Sequence, residues 1–158
     1  MKKYVIFIVI IAAVLAYLFY PSGDDTREVA ALLDQALESG KKKDLDGVME
    51  HFSLNYRDEY GASYPVVKNV VKTYFDKFDS FDGKYSGLKA SINETEGGEK
   101  QGVANLDIQV WGMKSGIPTP ILGDLDSGSN ITVTLKKSRL GGWKIVKVEG
   151  IEEAGGEF

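Results

Sequence analysis

One imidazole, a succession of tyrosines and a few acids are the residues here whose types could do chemistry. His51 is the single histidine and cysteine is absent, so proton transfer near neutral pH rests on one side chain. It follows Val48 by three positions, on the flank of an apolar helical stripe. That placement suits a pocket-lining acid or base, and equally a helix-end residue in favourable contact with the dipole. Tyr56, Tyr60, Tyr64 and Tyr74 follow in close order; each ring can pack while its hydroxyl meets a ligand. Asp58, between Arg57 and Glu59, reads as a solvated turn acid rather than a catalytic base. Asp124, Asp126 and Asn130 suggest a calcium loop, but the acid, glycine and glutamate that should follow are missing. With one His and no Cys, a zinc site of the usual ligand type is not expected either. The sequence therefore predicts no metal and no cofactor.

The elements that must position these residues begin beyond an apolar run. Residues 4–20 carry no charge, Gly or Pro, and Lys2 and Lys3 precede them. As a helix the run is roughly 26 Å long, near the thickness of a bilayer's hydrocarbon core. Lysines before it and acids after it predict a cytoplasmic N-terminus and a translocated remainder. The expectation is an uncleaved single-pass anchor and linker over residues 1–23, with a cleaved signal peptide as the alternative. The folded part then lies in the periplasm, or outside the cell membrane, and residues 152–158 form a frayed tail.

With Lys2 and Lys3 set aside, 17 basic and 23 acidic side chains remain, a net −6. That sign argues against nucleic acid as a partner. Without disulfides, stability must come from apolar burial, and residues 24–151 suffice for one domain.

Asp25-Thr26-Arg27-Glu28 has the spacing of a capping box with Asp25 at the cap, Val29, Leu32, Leu33, Ala36 and Leu37 repeat at helical intervals, and Gly40 is expected to supply a left-handed stop. Asp44 is expected to cap a second, shorter helix, with Leu45, Val48, Met49 and Phe52 on one side. A third opens at Ser63 or Tyr64, with Pro65 in its first turn and Val67, Val70, Val71, Tyr74 and Phe78 on its buried face. From Gly83 the period changes to two. Leu88, Ala90 and Ile92, then Ala104, Leu106, Ile108 and Val110, then Ile131, Val133 and Leu135 alternate with polar residues. Trp143 to Val148 closes the series. Residues 113–129 read as a long Gly/Pro-rich connection. Helices followed by an antiparallel meander make an α+β domain.

Three stretches carry a resemblance that spans roughly residues 26–150. They are Lys43-Asp44-Leu45-Asp46-Gly47-Val48-Met49-Glu50-His51-Phe52-Ser53, then Tyr56-Arg57-Asp58 with Gly61, and Gly142-Trp143-Lys144-Ile145-Val146. In their order and spacing the chain resembles the nuclear-transport-factor-2-like (cystatin-like) superfamily. The resemblance implies a cone, in which a curved antiparallel sheet wraps on a long helix around an apolar pocket, and often a sheet-to-sheet dimer. Enzymes of that superfamily use a carboxylate base, and Asp58 falls near that segment. The donor tyrosine of the isomerases has no counterpart in the first helix here.

Fold alone does not give function. The expected ligand pocket comprises His51, Tyr56, Tyr60, Tyr64 and Tyr74. A partner surface is expected from Val103, Asp107, Gln109 and Trp111, which point away from the helices, and from Ile117 and Ile121 in the long connection. The leading expectation is a membrane-anchored, non-catalytic binding or assembly module. It would dimerise through its sheet or meet a membrane-protein partner. The alternative is a small apolar-ligand site, or an isomerase- or cyclase-like enzyme, in the cone.

Overall fold

The computed structural model describes residues 23–138 and 141–151. The expected anchor segment at 4–20 and the tail at 152–158 lie outside the described residues. Among those described, no helix is long and apolar enough to cross a membrane.

Among the described residues three helices come first, α1 (Gly23–Lys41), α2 (Leu45–Met49) and α3 (Tyr64–Lys77). Five strands follow: β1 (Ser80–Glu94), β2 (Lys100–Lys114), β3 (Ile117–Leu122), β4 (Ser129–Lys137) and β5 (Trp143–Glu149). All strand pairs are antiparallel, in the order β1-β2-β4-β5, with β3 also on β2. One edge of β2 is shared: β4 takes Lys100 to Ile108 and β3 takes Val110 to Lys114. The fold is α+β, helices on one face of a curved antiparallel sheet.

Local chemistry explains the helix ends. Asp44 caps α2 by accepting from the Gly47 N–H at 2.9 Å, and Pro65 opens α3. Two expectations for α1 fail. Asp25 lies inside the first turn and is buried against lysines of the sheet, so it is not the cap. Gly40 is not the left-handed stop; Lys43 takes that conformation at φ 56, and its Nζ donates to the Phe78 carbonyl at 2.8 Å. A side-chain bond to a distant segment thus holds a conformation that L-residues seldom adopt.

Val29, Leu32 and Leu33 of α1 pack on Ala104, Leu106, Ile131, Val133, Leu135, Trp143 and Ile145. Alternation along each strand puts these on one face, as the period of two requires. In β1 the alternation breaks. Its register with β2 shifts between Ser86 and Lys89, where Gly87 has φ +65. Before this bulge Phe81, Gly83 and Tyr85 face inward; after it Leu88, Ala90 and Ile92 do. The strand therefore starts at Ser80, ahead of the expected start.

The expected long connection at 113–129 is also corrected. Its first part is strand β3, with Pro118 opposite Met113 and Pro120 opposite Trp111. Only residues 123–128 remain a loop, and they fold back over the outer side of β2. Gln109 Nε2 donates to the carbonyls of Asp124 at 2.9 Å and Leu125 at 3.3 Å beneath them.

Candidate functional site

Helix α3 carries Val66, Val67, Val70, Val71 and Tyr74 at helical spacing, yet none of its residues is fully buried. Its apolar stripe faces an unfilled space. Between this stripe, the Leu33–Leu37–Gly40 side of α1 and the inner face of the sheet lies a cavity of about 450 Å³. The sheet contributes Phe81, Tyr85, Leu106, Ile108, Val110, Ile131, Val133, Ile145 and Val148; Phe52, Ile121, Leu122 and Ile151 add to the lining. Small-molecule sites typically span ~300–1,000 Å³, apolar with a few placed polar groups. The cavity fits that description.

Its polar groups are few and mostly engaged. Tyr56 is buried and edge-on to Phe52, ring centroids 5.4 Å apart. Burial, and then the charge of Asp58, push its phenol up to about 12, so it stays protonated and a donor at neutral pH. The Tyr85 hydroxyl donates to Asp34 Oδ1 at 2.6 Å; burial and this bond put it at about 12 as well. Lys41 Nζ lies 3.4 Å from Asp82 Oδ1 and 3.3 Å from Glu38 Oε1. Asp58 Oδ1 accepts from the N–H groups of Tyr60 at 2.9 Å and Ala62 at 2.8 Å. This side-chain turn ends the segment that leads into α3.

Of the five pocket residues expected from sequence, Tyr56 and Tyr74 line the cavity. Tyr60 is 72% exposed, and Tyr64 packs against the core from outside the lining. His51 belongs elsewhere. With Trp143, Glu28 and Gln35 it borders a separate recess of about 280 Å³ beside α1. Among the described residues neither His51 Nε2 nor Trp143 Nε1 has a hydrogen-bond partner, and burial lowers the imidazole's pKa. Lys144 adds to that lowering; Glu50 Oε1, 3.7 Å away, opposes it.

The expected partner surface divides. Val103 and Trp111 are half-buried on the outer face, and Asp107 is exposed and accepts from Asn130 Nδ2 at 3.0 Å. Gln109, expected among them, is buried under the 123–128 loop. Ile117 is 66% exposed at the start of β3, whereas Ile121 turns into the cavity. Sequence reasoning missed Tyr85 and Phe81 as cavity residues. Their parity with Gly83 was the available signal, masked by the bulge that follows.

No family model matches the sequence, and no curated protein is similar enough to match it. Solved structures do match by shape. Bd1075 of Bdellovibrio bacteriovorus superposes with a TM-score of 0.60 at 10% identity, over 78% of this chain and 40% of that one. The helical cell shape determining protein Pgp2 of Campylobacter jejuni gives 0.61 at 11%, over 77% and 39%. A Nostoc punctiforme protein with a cystatin-like fold gives 0.57 at 14%, over 80% and 90%. This chain thus spans about two fifths of the first two. At such identities the likeness defines the fold, which is the cystatin-like, nuclear-transport-factor-2-like cone.

Proposed function

We propose that the domain is a non-catalytic binding module whose ligand is a small, largely apolar molecule held inside the cone. Residues 4–20 tether it at the outer face of a membrane, which restricts it to ligands and partners near the bilayer. The observation that carries the reading is the cavity of about 450 Å³ under α3, whose valines face space instead of protein. Against catalysis stands the placement of His51, the chain's single imidazole, outside the cavity lining.

The test uses the purified full chain and phenylnaphthylamine, a neutral apolar dye that brightens out of water. Val70 lines the cavity, and Val70→Trp should push an indole into it. Saturable brightening that Val70→Trp weakens supports the reading; brightening of equal strength in the variant overturns it. Location is tested by the mass of the mature, membrane-extracted chain. Loss of the first ~20 residues would overturn the tether.

A further inference from the structure

We infer that Asp58 holds the head group of the cavity's ligand, and that this ligand is an apolar molecule bearing a protonated amine. The inference rests on the binding reading above and adds the chemical class of what is bound. Three ionised side chains line the cavity, Lys41, Asp82 and Asp58. Lys41 and Asp82 neutralise one another at 3.4 Å. Asp58 forms no ion pair among the described residues; its partners there are the backbone N–H groups of Tyr60 and Ala62, both on Oδ1.

Those two bonds fix the direction of the carboxylate and leave Oδ2 without a cation. The group is half-buried in a wall that, apart from the Lys41–Asp82 pair, is built from apolar side chains and tyrosines. A carboxylate partly stripped of water there interacts with an opposite charge more strongly than it would in bulk solvent. An ammonium supplies both that charge and an N–H donor for Oδ2. An alcohol supplies the donor alone, and a carboxylate meets like charge. The cavity's apolar walls accept the body of each equally, so the head group decides among them.

Three ligands of one shape isolate this effect: adamantylamine, adamantanol and adamantane carboxylate, each displacing phenylnaphthylamine from the full chain at neutral pH. The amine should bind about tenfold tighter than the alcohol, because it adds an opposite charge to the donor that both supply. The carboxylate should bind weakest. Asp58→Asn keeps a carbonyl oxygen for the Tyr60 and Ala62 N–H groups, so the turn should persist. In this variant the amine's advantage over adamantanol should vanish. Equal affinities of amine and alcohol for the unaltered chain would overturn the assignment, as would an amine preference that survives Asp58→Asn. Failure of the dye to enter the cavity at all would remove the binding reading itself, a distinguishable result.

Discussion

Asp25 and Lys100 meet at 2.5 Å although 75 positions separate them in the chain. Lys137, directly opposite Lys100 in the β2–β4 register, reaches the other oxygen of Asp25 at 2.9 Å and also Glu28 at 2.5 Å. An acid with capping-box spacing has instead become a clamp between the first turn of α1 and the sheet. The residue is only 3% exposed. Burial by itself would raise its pKa; the hydrogen bonds and charges of Lys100 and Lys137 outweigh that and hold it at about 2.

A carboxyl at about 2 when folded, against 3.8 when free, favours the folded state fully above pH 3.8. That contribution, roughly 2 kcal/mol, fades as the pH falls from 3.8 towards 2. Asp25→Asn should therefore lose about 2 kcal/mol at neutral pH and show a flatter acid limb. Urea unfolding measured across this range checks it. An unchanged acid limb in Asp25→Asn would show that the clamp contributes nothing.

His51 gives a separate window. Burial, assisted by Lys144 and opposed by Glu50, lowers its folded pKa below 6.5. The unfolded chain then binds the proton first, so stability drops as the pH falls through 6.5. His51→Phe removes both this titration and a buried nitrogen that has no partner among the described residues. It should leave the protein at least as stable at neutral pH and flatten the slope just below 6.5. Melting temperatures at a series of pH values decide; a large loss at neutral pH would mean that Nε2 has a necessary partner.

The sequence announced elements wherever one residue type has one local job. Asp44 caps, Pro65 opens a helix and the Trp143–Val148 alternation marks a strand, and each stands as expected. What stayed illegible depends on partners far away in the chain. A Ser-Gly-Leu sequence does not declare a bulge, so the inward parity of Phe81 and Tyr85 was lost behind Gly87. Two prolines disguised β3, yet they are tolerated because it pairs with β2 alone. Tyr56 and Tyr60 are four positions apart and look alike in sequence. The turn at Asp58 sends one inward and leaves the other in solvent.

Phe78 and Gly112 make a tight demand on packing. A Cβ built at Gly112 would stand 2.4 Å from Cγ of Phe78, with further ring atoms at 2.7 and 2.8 Å. Phe78 is itself pinned by edge-on contact with Phe81, centroids 5.7 Å apart, and by Lys43 on its carbonyl. The ring cannot move without unseating the α3–β1 junction. Gly112→Ala should destabilise by about 1–3 kcal/mol, the usual range for overpacking. Denaturant titration reads it; a neutral result would mean that the junction yields.

Val70→Trp enlarges a side chain far more than Gly112→Ala does, and the opposite outcome is expected. Val70 faces the cavity from a helix with no fully buried residue, so the indole has about 450 Å³ to enter. Filling empty space restores dispersion contacts that the lining now lacks, and nothing on the opposite wall must give way. Stability should stay within about 0.5 kcal/mol of the unaltered chain, or rise, while phenylnaphthylamine affinity falls at least about tenfold. A loss of stability as large as that of Gly112→Ala would mean that α3 closes onto the sheet in solution. Dye binding and denaturant titration on the same two variants separate an open cone from a collapsed one, because only an open cone accepts the larger residue and refuses the smaller.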